Sequence, residues 1–183
     1  MNTAEDRVYE NAESELSGRE NEQTDQYLTF IMADEEYGVD ILSVQEIRGW
    51  ENVTPIPNAP NHVKGVINLR GTIVPIIDLR QRFGLTKVDY GPLTVVIVLK
   101  VNTSKGARIM GIVVDAVSDV YSLSGDDMKS APDLGDQVNT SYIKGLVNVN
   151  AKMVILLEIN ELLGADTIPD VSISALKELK EAN

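Results

Sequence analysis

A thirteen-residue segment in the middle of the chain recurs near its end without insertion or deletion. The segment HVKGVINLRGTIV, which begins at His62, aligns with YIKGLVNVNAKMV, which begins at Tyr142, at a constant offset of 80 residues. Upstream, Gly38 recurs as Gly111 in a shorter match. Two copies are too few for an open solenoid, and a unit of about 70 residues is only marginally stable alone. The repeat therefore predicts two similar lobes that share a hydrophobic interface and fold together.

Within both copies, the apolar residues form short runs rich in Val and Ile, which are typical of β-strands. The predicted strands are Tyr27–Ala33, Tyr37–Leu42, Val63–Leu69, Thr72–Ile77, Leu93–Lys100, Arg108–Val114 and Lys152–Leu157. Loops rather than long helices separate these runs, which favours small closed barrels over alternating strand and helix units. The predicted helices are Leu79–Phe83, Ile159–Leu163 and a terminal helix, Ala175–Glu181, capped by Ser172 or Ser174. We therefore predict an all-β fold with a few short helices and a C-terminal helix.

The first 25 residues differ in composition from the rest of the chain. They contain eight acidic and two basic residues and so carry half of the net charge of −12. A segment this polar buries too little surface to offset the entropy lost on ordering. We expect residues 1–25 to be a disordered acidic tail and residues 166–183 to be a C-terminal tail with the helix. Residues 26–165 then form the folded domain, with approximate lobes at 26–90 and 91–165 and exchange of strands between them allowed.

The overall composition argues against several classes of protein. An acidic chain is poorly suited to contact nucleic-acid phosphates or anionic lipid. The longest apolar stretch, residues 93–99, is far shorter than the ~20 residues that span a bilayer, and the N-terminus does not resemble a secretory signal. There is no cysteine, which excludes disulfides and thiol chemistry. We expect a cytoplasmic protein that is monomeric alone, binds no nucleic acid and does not insert into membranes.

The sequence offers little material for catalysis. His62 is the only histidine, and its counterpart in the second copy is Tyr142, which favours a structural role. Neither Gly65 nor Gly71 precedes a convincing helix, so no phosphate-binding loop is predicted. We expect no cofactor and no metal. Two alternatives stay open: a hydrolase that uses scattered carboxylates, and a small barrel that binds single-stranded nucleic acid, which the acidic charge and 5% aromatic content disfavour.

Positions that differ between the two copies are candidates for function. Arg70 lies on a predicted turn between two strands and becomes Asn150 in the second copy. Arginine is enriched among the residues that dominate protein interfaces, although spacing alone would equally fit an ordinary exposed side chain. Glu46 corresponds to Asp119, and an acidic group there could simply end a strand. Trp50, the only tryptophan, fits either an interface or the edge of the first lobe's core.

Several blocks occur in a fixed order along the chain, including EEYGVDILSVQEIR from Glu35, GVINLRGTIVPIIDLR from Gly65 and GIVVDAVSDV from Gly111. Together, these blocks resemble the bacterial chemotaxis coupling-protein (CheW) family. The resemblance extends from about Gln26 to Gly164, and it implies two five-stranded SH3-like barrels related by a pseudo-twofold axis. This implied architecture agrees with the two lobes predicted from the repeat.

The resemblance also implies a role. Family members are non-enzymatic adaptors that couple methyl-accepting chemoreceptors to the chemotaxis histidine kinase, whose regulatory domain has the same fold. The implied receptor-binding residues are Val44, Glu46, Gly65 and Arg70, and the implied kinase-binding residues are Val53 and Gly71. Because the chain ends about 20 residues after the last matching block, we expect a free-standing adaptor recruited to membrane-associated receptor arrays. An adaptor in a different sensory array, such as one controlling surface motility, fits the sequence equally well.

Overall fold

The computed structural model describes residues 23–133 and 140–164 and contains ten β-strands within these ranges. The strands are β1 (Thr24–Met32), β2 (Glu35–Asp40), β3 (Val44–Gly49), β4 (Val63–Leu69), β5 (Thr72–Asp78), β6 (Val95–Thr103), β7 (Gly106–Val114), β8 (Ala116–Ser124), β9 (Ile143–Val149) and β10 (Lys152–Leu157). Two short helices, α1 (Leu79–Arg82) and α2 (Ile159–Leu163), follow β5 and β10, and 3-10 turns lie at Ile41–Ser43 and Gly125–Asp127. Within the described ranges, no helix is long and apolar enough to cross a membrane.

The strands form two five-stranded sheets of the same topology, so the all-β prediction is confirmed. One sheet, called barrel I, has the order β3-β6-β7-β5-β4, and the other, called barrel II, has the order β8-β1-β2-β10-β9. Each strand of the first repeat corresponds to the strand five places later in the second. Applying that shift converts the order of barrel II into that of barrel I, which is the pseudo-twofold relationship expected from the repeat.

Each barrel is built from both halves of the chain. Barrel I takes β3, β4 and β5 from the first repeat and β6 and β7 from the second, and barrel II takes the remaining strands. The two repeats meet in each barrel at one parallel pair, β5–β7 or β2–β10, and at one antiparallel pair, β3–β6 or β1–β8. The division between the barrels therefore does not follow the approximate boundary between residues 90 and 91, because strands are exchanged reciprocally.

Alternation along the strands produces three separate apolar clusters. Val96 and Val98 of β6 face the interior of barrel I, whereas Ile97 and Leu99, between and after them, face a larger cluster. Barrel II has its own interior cluster, which includes Val154. The larger cluster contains residues of both barrels and of α2, with every member buried. Burial of apolar area in this shared core holds the two barrels together as one unit.

A charged cluster joins the turn between β1 and β2 to barrel I. The Asp115 carboxylate, between β7 and β8, accepts two hydrogen bonds from the Arg80 guanidinium, each 2.8 Å long, and one of 2.9 Å from the Ala33 amide. The hydrogen bonds from Arg80 lower the pKa of Asp115 from its usual value, with the Ala33 amide adding to the effect. Both side chains are mostly buried, so the cluster stabilises the packing of one barrel on the other.

The predicted strand and helix boundaries were right in the central parts of the repeats and wrong elsewhere. Strands β4 and β10 and helix α2 have the predicted bounds, but β3, β8 and β9 were not among the predicted strands. The chain also becomes ordered earlier than predicted, because β1 begins at Thr24 and its first residues pair with Ser124 and Leu123 of β8. Ala33, predicted as strand, lies in a turn at φ 49°. The predicted helix Ala175–Glu181 and nearly all of both predicted tails lie outside the described residues.

Candidate functional site

The site begins at the two-residue turn that joins β4 to β5. Leu69 pairs with Thr72, so Arg70 and Gly71 are the two turn residues. Both have positive φ, 50° and 88°, as a type I′ turn requires. The Asn68 side chain stabilises the turn by accepting a 2.8 Å hydrogen bond from the Gly71 amide. The sequence therefore places an arginine where glycine or asparagine is favoured, and a side chain there projects from the tip of a rigid hairpin.

Arg70 forms an ion pair with Glu46 across the end of barrel I. The Arg70 Nη2 atom donates a 2.9 Å hydrogen bond to Glu46 Oε2, with side-chain exposures of 78% and 29%. Arg48 lies 4.0 Å from the other carboxylate oxygen of Glu46 and also pairs with Glu51. The guanidinium of Arg70 thus stays accessible to solvent while its position is set by a partly buried carboxylate.

Gly65 is buried beneath the segment that follows β3. The backbone groups of Thr54 and Val66 exchange two hydrogen bonds of 2.9 Å, which tie the end of this segment to β4 and so close barrel I. Gly65 has φ +146°, and a Cβ atom there would overlap the Thr54 carbonyl. A glycine is therefore required for closure. Lys129 and Leu146 form the same bridge in barrel II, where a Cβ atom at Gly145 would overlap the Met128 side chain rather than a backbone carbonyl.

The other sequence-predicted residues surround this framework. Val53 directly precedes Thr54 and packs half-buried against the interior cluster of barrel I. Val44 pairs with Leu99 and packs against the shared core. A β-bulge between Val44 and Glu46 turns the two side chains to different surroundings. Glu46, Arg70 and Gly71 are thus brought together at one end of barrel I. Gly65 and Val53 lie at the closure, towards the other end of β4, and Val44 packs against the shared core.

Among the described residues, the equivalent end of barrel II has no such ion pair. Its type I′ turn is formed by Asn150 and Ala151, both at positive φ. Asp119, which corresponds to Glu46, accepts a hydrogen bond from the amide of Val120 instead of reaching across the barrel. The backbone of Asp119 is also bonded to the Thr29 hydroxyl at a bulge. The Arg70–Glu46 pair therefore distinguishes two otherwise similar barrels.

A family model described as the CheW-like domain matches residues 26–167. The chain belongs to the CheW-like domain family. It is 49% identical to the chemotaxis protein CheW of Klebsiella aerogenes over 77% of this chain and 82% of that protein. It is 36% identical to the chemotaxis protein CheW of Rhizobium meliloti over 76% and 87% of the two chains. The crystal structure of the scaffolding protein TtCheW from Thermoanaerobacter tengcongensis matches with a TM-score of 0.71 at 28% identity, covering 81% of this chain and 99% of that one. These similarities confirm the resemblance inferred from the sequence blocks.

Sequence reasoning missed an exposed apolar residue, Leu42, which lies two positions before Val44. Leu42 lies in the 3-10 turn before β3 with 84% of its surface exposed. Asp40 caps this turn by accepting a 2.9 Å hydrogen bond from the Leu42 amide. Ile47 of β3 is also exposed. The apolar run ending at Leu42 predicts a strand, and only the Asp40 cap signals that the chain turns outward there.

The contacts of Trp50 and the burial of His62 indicate structural roles for both residues. Trp50 is half-buried with its ring centroid 4.2 Å from that of Tyr90, and its amide donates to the Thr94 carbonyl. The Tyr90 hydroxyl donates to the buried carboxylate of Asp78, and burial, followed by this hydrogen bond, raises the pKa of Tyr90 strongly. Burial also lowers the pKa of His62. The edge-of-core interpretation of Trp50 fits these contacts.

Proposed function

We propose that this chain is a non-enzymatic adaptor that couples methyl-accepting chemoreceptors to the chemotaxis histidine kinase. Membership of the CheW-like family supports this proposal, as do relatives named chemotaxis proteins and a structural neighbour described as a scaffolding protein. The observation that carries it to particular residues is the exposed Arg70–Glu46 pair on a rigid turn. Because arginine at φ 50° is unfavourable for the fold alone, its presence there points to selection for contact with a partner.

On the receptor side, we propose a contact made by Val44, Glu46 and Arg70. Val44 supplies apolar area beside the shared core, and the ion pair supplies directional charge that fixes the register of a helical receptor tip. The neighbouring exposed Leu42 extends the apolar part of this surface. Gly65 contributes through the backbone, because its lack of a side chain allows Thr54 to close the barrel that carries this surface.

On the kinase side, we propose a contact that includes Val53 and Gly71. Gly71 is exposed at the hairpin tip, and a Cβ atom there would meet no neighbouring atom within 4 Å. The regulatory domain of the kinase would then dock edgewise on barrel I. Signal transmission requires only that the partners' signalling states differ in affinity for the adaptor. The protein would act in the cytoplasm, monomeric until recruited to the array.

The test is a reconstitution of receptor, kinase and adaptor that measures kinase activity and co-sedimentation. Arg70→Asn, which installs the residue found in barrel II, should lower receptor-dependent kinase activation at least tenfold while leaving the fold intact. Lys100→Gln removes the same charge from an exposed position on β6 of the same barrel and serves as the matched control. Equal activation by the Arg70→Asn variant and the wild type would reject the assignment of Arg70, and failure of the wild type to join receptor and kinase would reject the function.

A further inference from the structure

A concave surface lies near the start of β4, at the opposite end of that strand from the Arg70–Gly71 turn. It is a cavity of about 480 Å³ lined by Asn61, Lys64, Gln81, Gly84, Leu85 and Lys87. Lys64 and Arg70 are six positions apart along the chain, which is about 20 Å at 3.3 Å per residue. The proposed receptor and kinase contacts do not use this surface. Its two charged lining residues are both lysines, although the chain as a whole has a net charge of −12.

The repeat shows that Lys64 differs from its counterpart in barrel II. Lys144 lies with its Nζ atom 5.0 Å from the centre of the Tyr27 ring, where a cation–π contact stabilises its charge. Lys64 forms no ion pair with a described residue, and it lines the cavity instead. Burial lowers the pKa of Lys64, the nearby carboxylate of Asp78 opposes this change, and the charge of Lys87 adds to it. The two lysines are therefore close enough to repel each other.

The cavity wall also contains an unsatisfied buried polar atom. The side-chain oxygen of Gln81 is inaccessible to solvent and has no hydrogen-bond partner. The backbone of Gln81 is fixed, because its amide donates a 3.2 Å hydrogen bond to the Asp78 carboxylate at the start of α1. That oxygen is an acceptor turned away from solvent, so Gln81 can bind an anion in the cavity only through its side-chain NH2 group, which donates two hydrogen bonds. A ligand that accepts hydrogen bonds would be met by this amide, by the Asn61 amide and by two ammonium groups.

We propose that Lys64, Lys87 and the amides of Asn61 and Gln81 form a binding site for an anionic group, a carboxylate or a phosphate. An anion between the lysines relieves their mutual repulsion and forms charge-assisted hydrogen bonds with both. The chemistry is the same whether the group belongs to a free small molecule or to an acidic side chain of a protein. The cavity volume suffices for a ligand of several non-hydrogen atoms, such as a tricarboxylate.

The test titrates the full chain at low ionic strength with inorganic phosphate, citrate and a hexaglutamate peptide. Isothermal titration calorimetry gives the affinity, and backbone amide NMR shifts of Gly84 and Leu85 locate the binding. We expect at least one probe to bind and to shift both amides. The double variant Lys64→Gln/Lys87→Gln should weaken that binding at least tenfold.

A matched double variant controls for net charge. Lys100→Gln/Lys105→Gln removes two exposed charges from β6 and the adjoining turn and should retain wild-type binding. Binding of phosphate or citrate identifies a free anion as a ligand, whereas binding of the peptide alone identifies an acidic protein segment. Absence of binding by all three probes, or equal weakening in the two double variants, would overturn the proposal. The single variant Lys87→Gln, altered at an exposed position, repeats the test if the double variant does not fold.

Discussion

Replacing Arg70 by asparagine should raise the stability of the fold and weaken partner binding. The change leaves the turn length and the Asn68 hydrogen bond to Gly71 in place. It removes the guanidinium and the ion pair with Glu46, and it puts at this position the residue that forms the equivalent turn as Asn150. The structure therefore provides its own reference for the same turn without an arginine.

The magnitude follows from two opposing contributions. A left-handed backbone costs an ordinary L residue roughly 1–2 kcal/mol, and asparagine much less. The lost ion pair is exposed on the Arg70 side and contributes at most about 0.5 kcal/mol. The net result is a gain of about 0.5–1 kcal/mol in the free energy of unfolding, which corresponds to a rise in Tm of roughly 1–4 °C for a domain of this size. Arg70→Ala keeps the backbone penalty and loses the ion pair, so its Tm should fall by roughly 1–2 °C.

Thermal unfolding followed by circular dichroism checks the order of stability, which should be Asn above Arg above Ala. The same three proteins are then compared in the reconstituted kinase assay, where both variants should lose receptor-dependent activation. An asparagine variant that is less stable than the alanine variant would refute the backbone-strain argument. A stable asparagine variant with full activation would leave that argument intact and refute the role of the guanidinium.

Three further perturbations test other parts of the structure. Gly65→Ala should lower the free energy of unfolding by about 3 kcal/mol, because the added Cβ atom overlaps a backbone carbonyl. Gly71→Ala, with open space around the added atom, should lower it by only about 1 kcal/mol. Similar Tm values for the two variants would contradict the role of Gly65 in closing the barrel. Asp115→Asn should cost about 1–3 kcal/mol at pH 7 in urea unfolding. The native pKa of Asp115 is lowered, so its contribution is complete above the unfolded pKa of about 4 and is lost as the pH falls through the native value. The difference from wild type should therefore shrink as the pH is lowered, and a difference independent of pH would argue against it. Tyr90→Phe should cost about 1–3 kcal/mol by leaving the buried Asp78 carboxylate with one donor fewer, and an unchanged urea midpoint would show that the contact is dispensable.

The repeat predicted two alike lobes correctly but could not reveal how they share strands. Residues within one strand have the same neighbours on the chain whether the barrel is completed by the same repeat or by the other one. The distinction is set by parallel pairs such as Glu36 with Val154, which join residues far apart in the sequence. No local pattern encodes such a pairing, so the boundary at residue 90 was a poor guide to the barrels.

Strand β3 escaped prediction because its polar and apolar residues alternate in the opposite sense to a usual half-buried strand. Glu46 and Arg48 are partly buried while Ile47 is exposed. The charged residues form ion pairs with each other and with Arg70, and so tolerate partial burial. The candidate site is thus one region where a sequence pattern based on burial fails. Comparison between the two repeats still singled out Arg70, since that comparison does not depend on burial.

The reciprocal exchange of strands also determines when the protein can fold during synthesis. The hairpin of β1 and β2 is complete once Asp40 has been made, but its partners in barrel II end with Leu157. At about 5–20 residues per second, the ribosome needs roughly 6–25 s to deliver the missing strands. During this interval the edges of the hairpin are unpaired, and the same edges on a neighbouring nascent chain offer an equivalent partner. Barrel I can therefore be completed once Val114 has been made, whereas barrel II must wait for Leu157. Crowding of ribosomes on one message would favour pairing between chains over pairing within them while barrel II is incomplete.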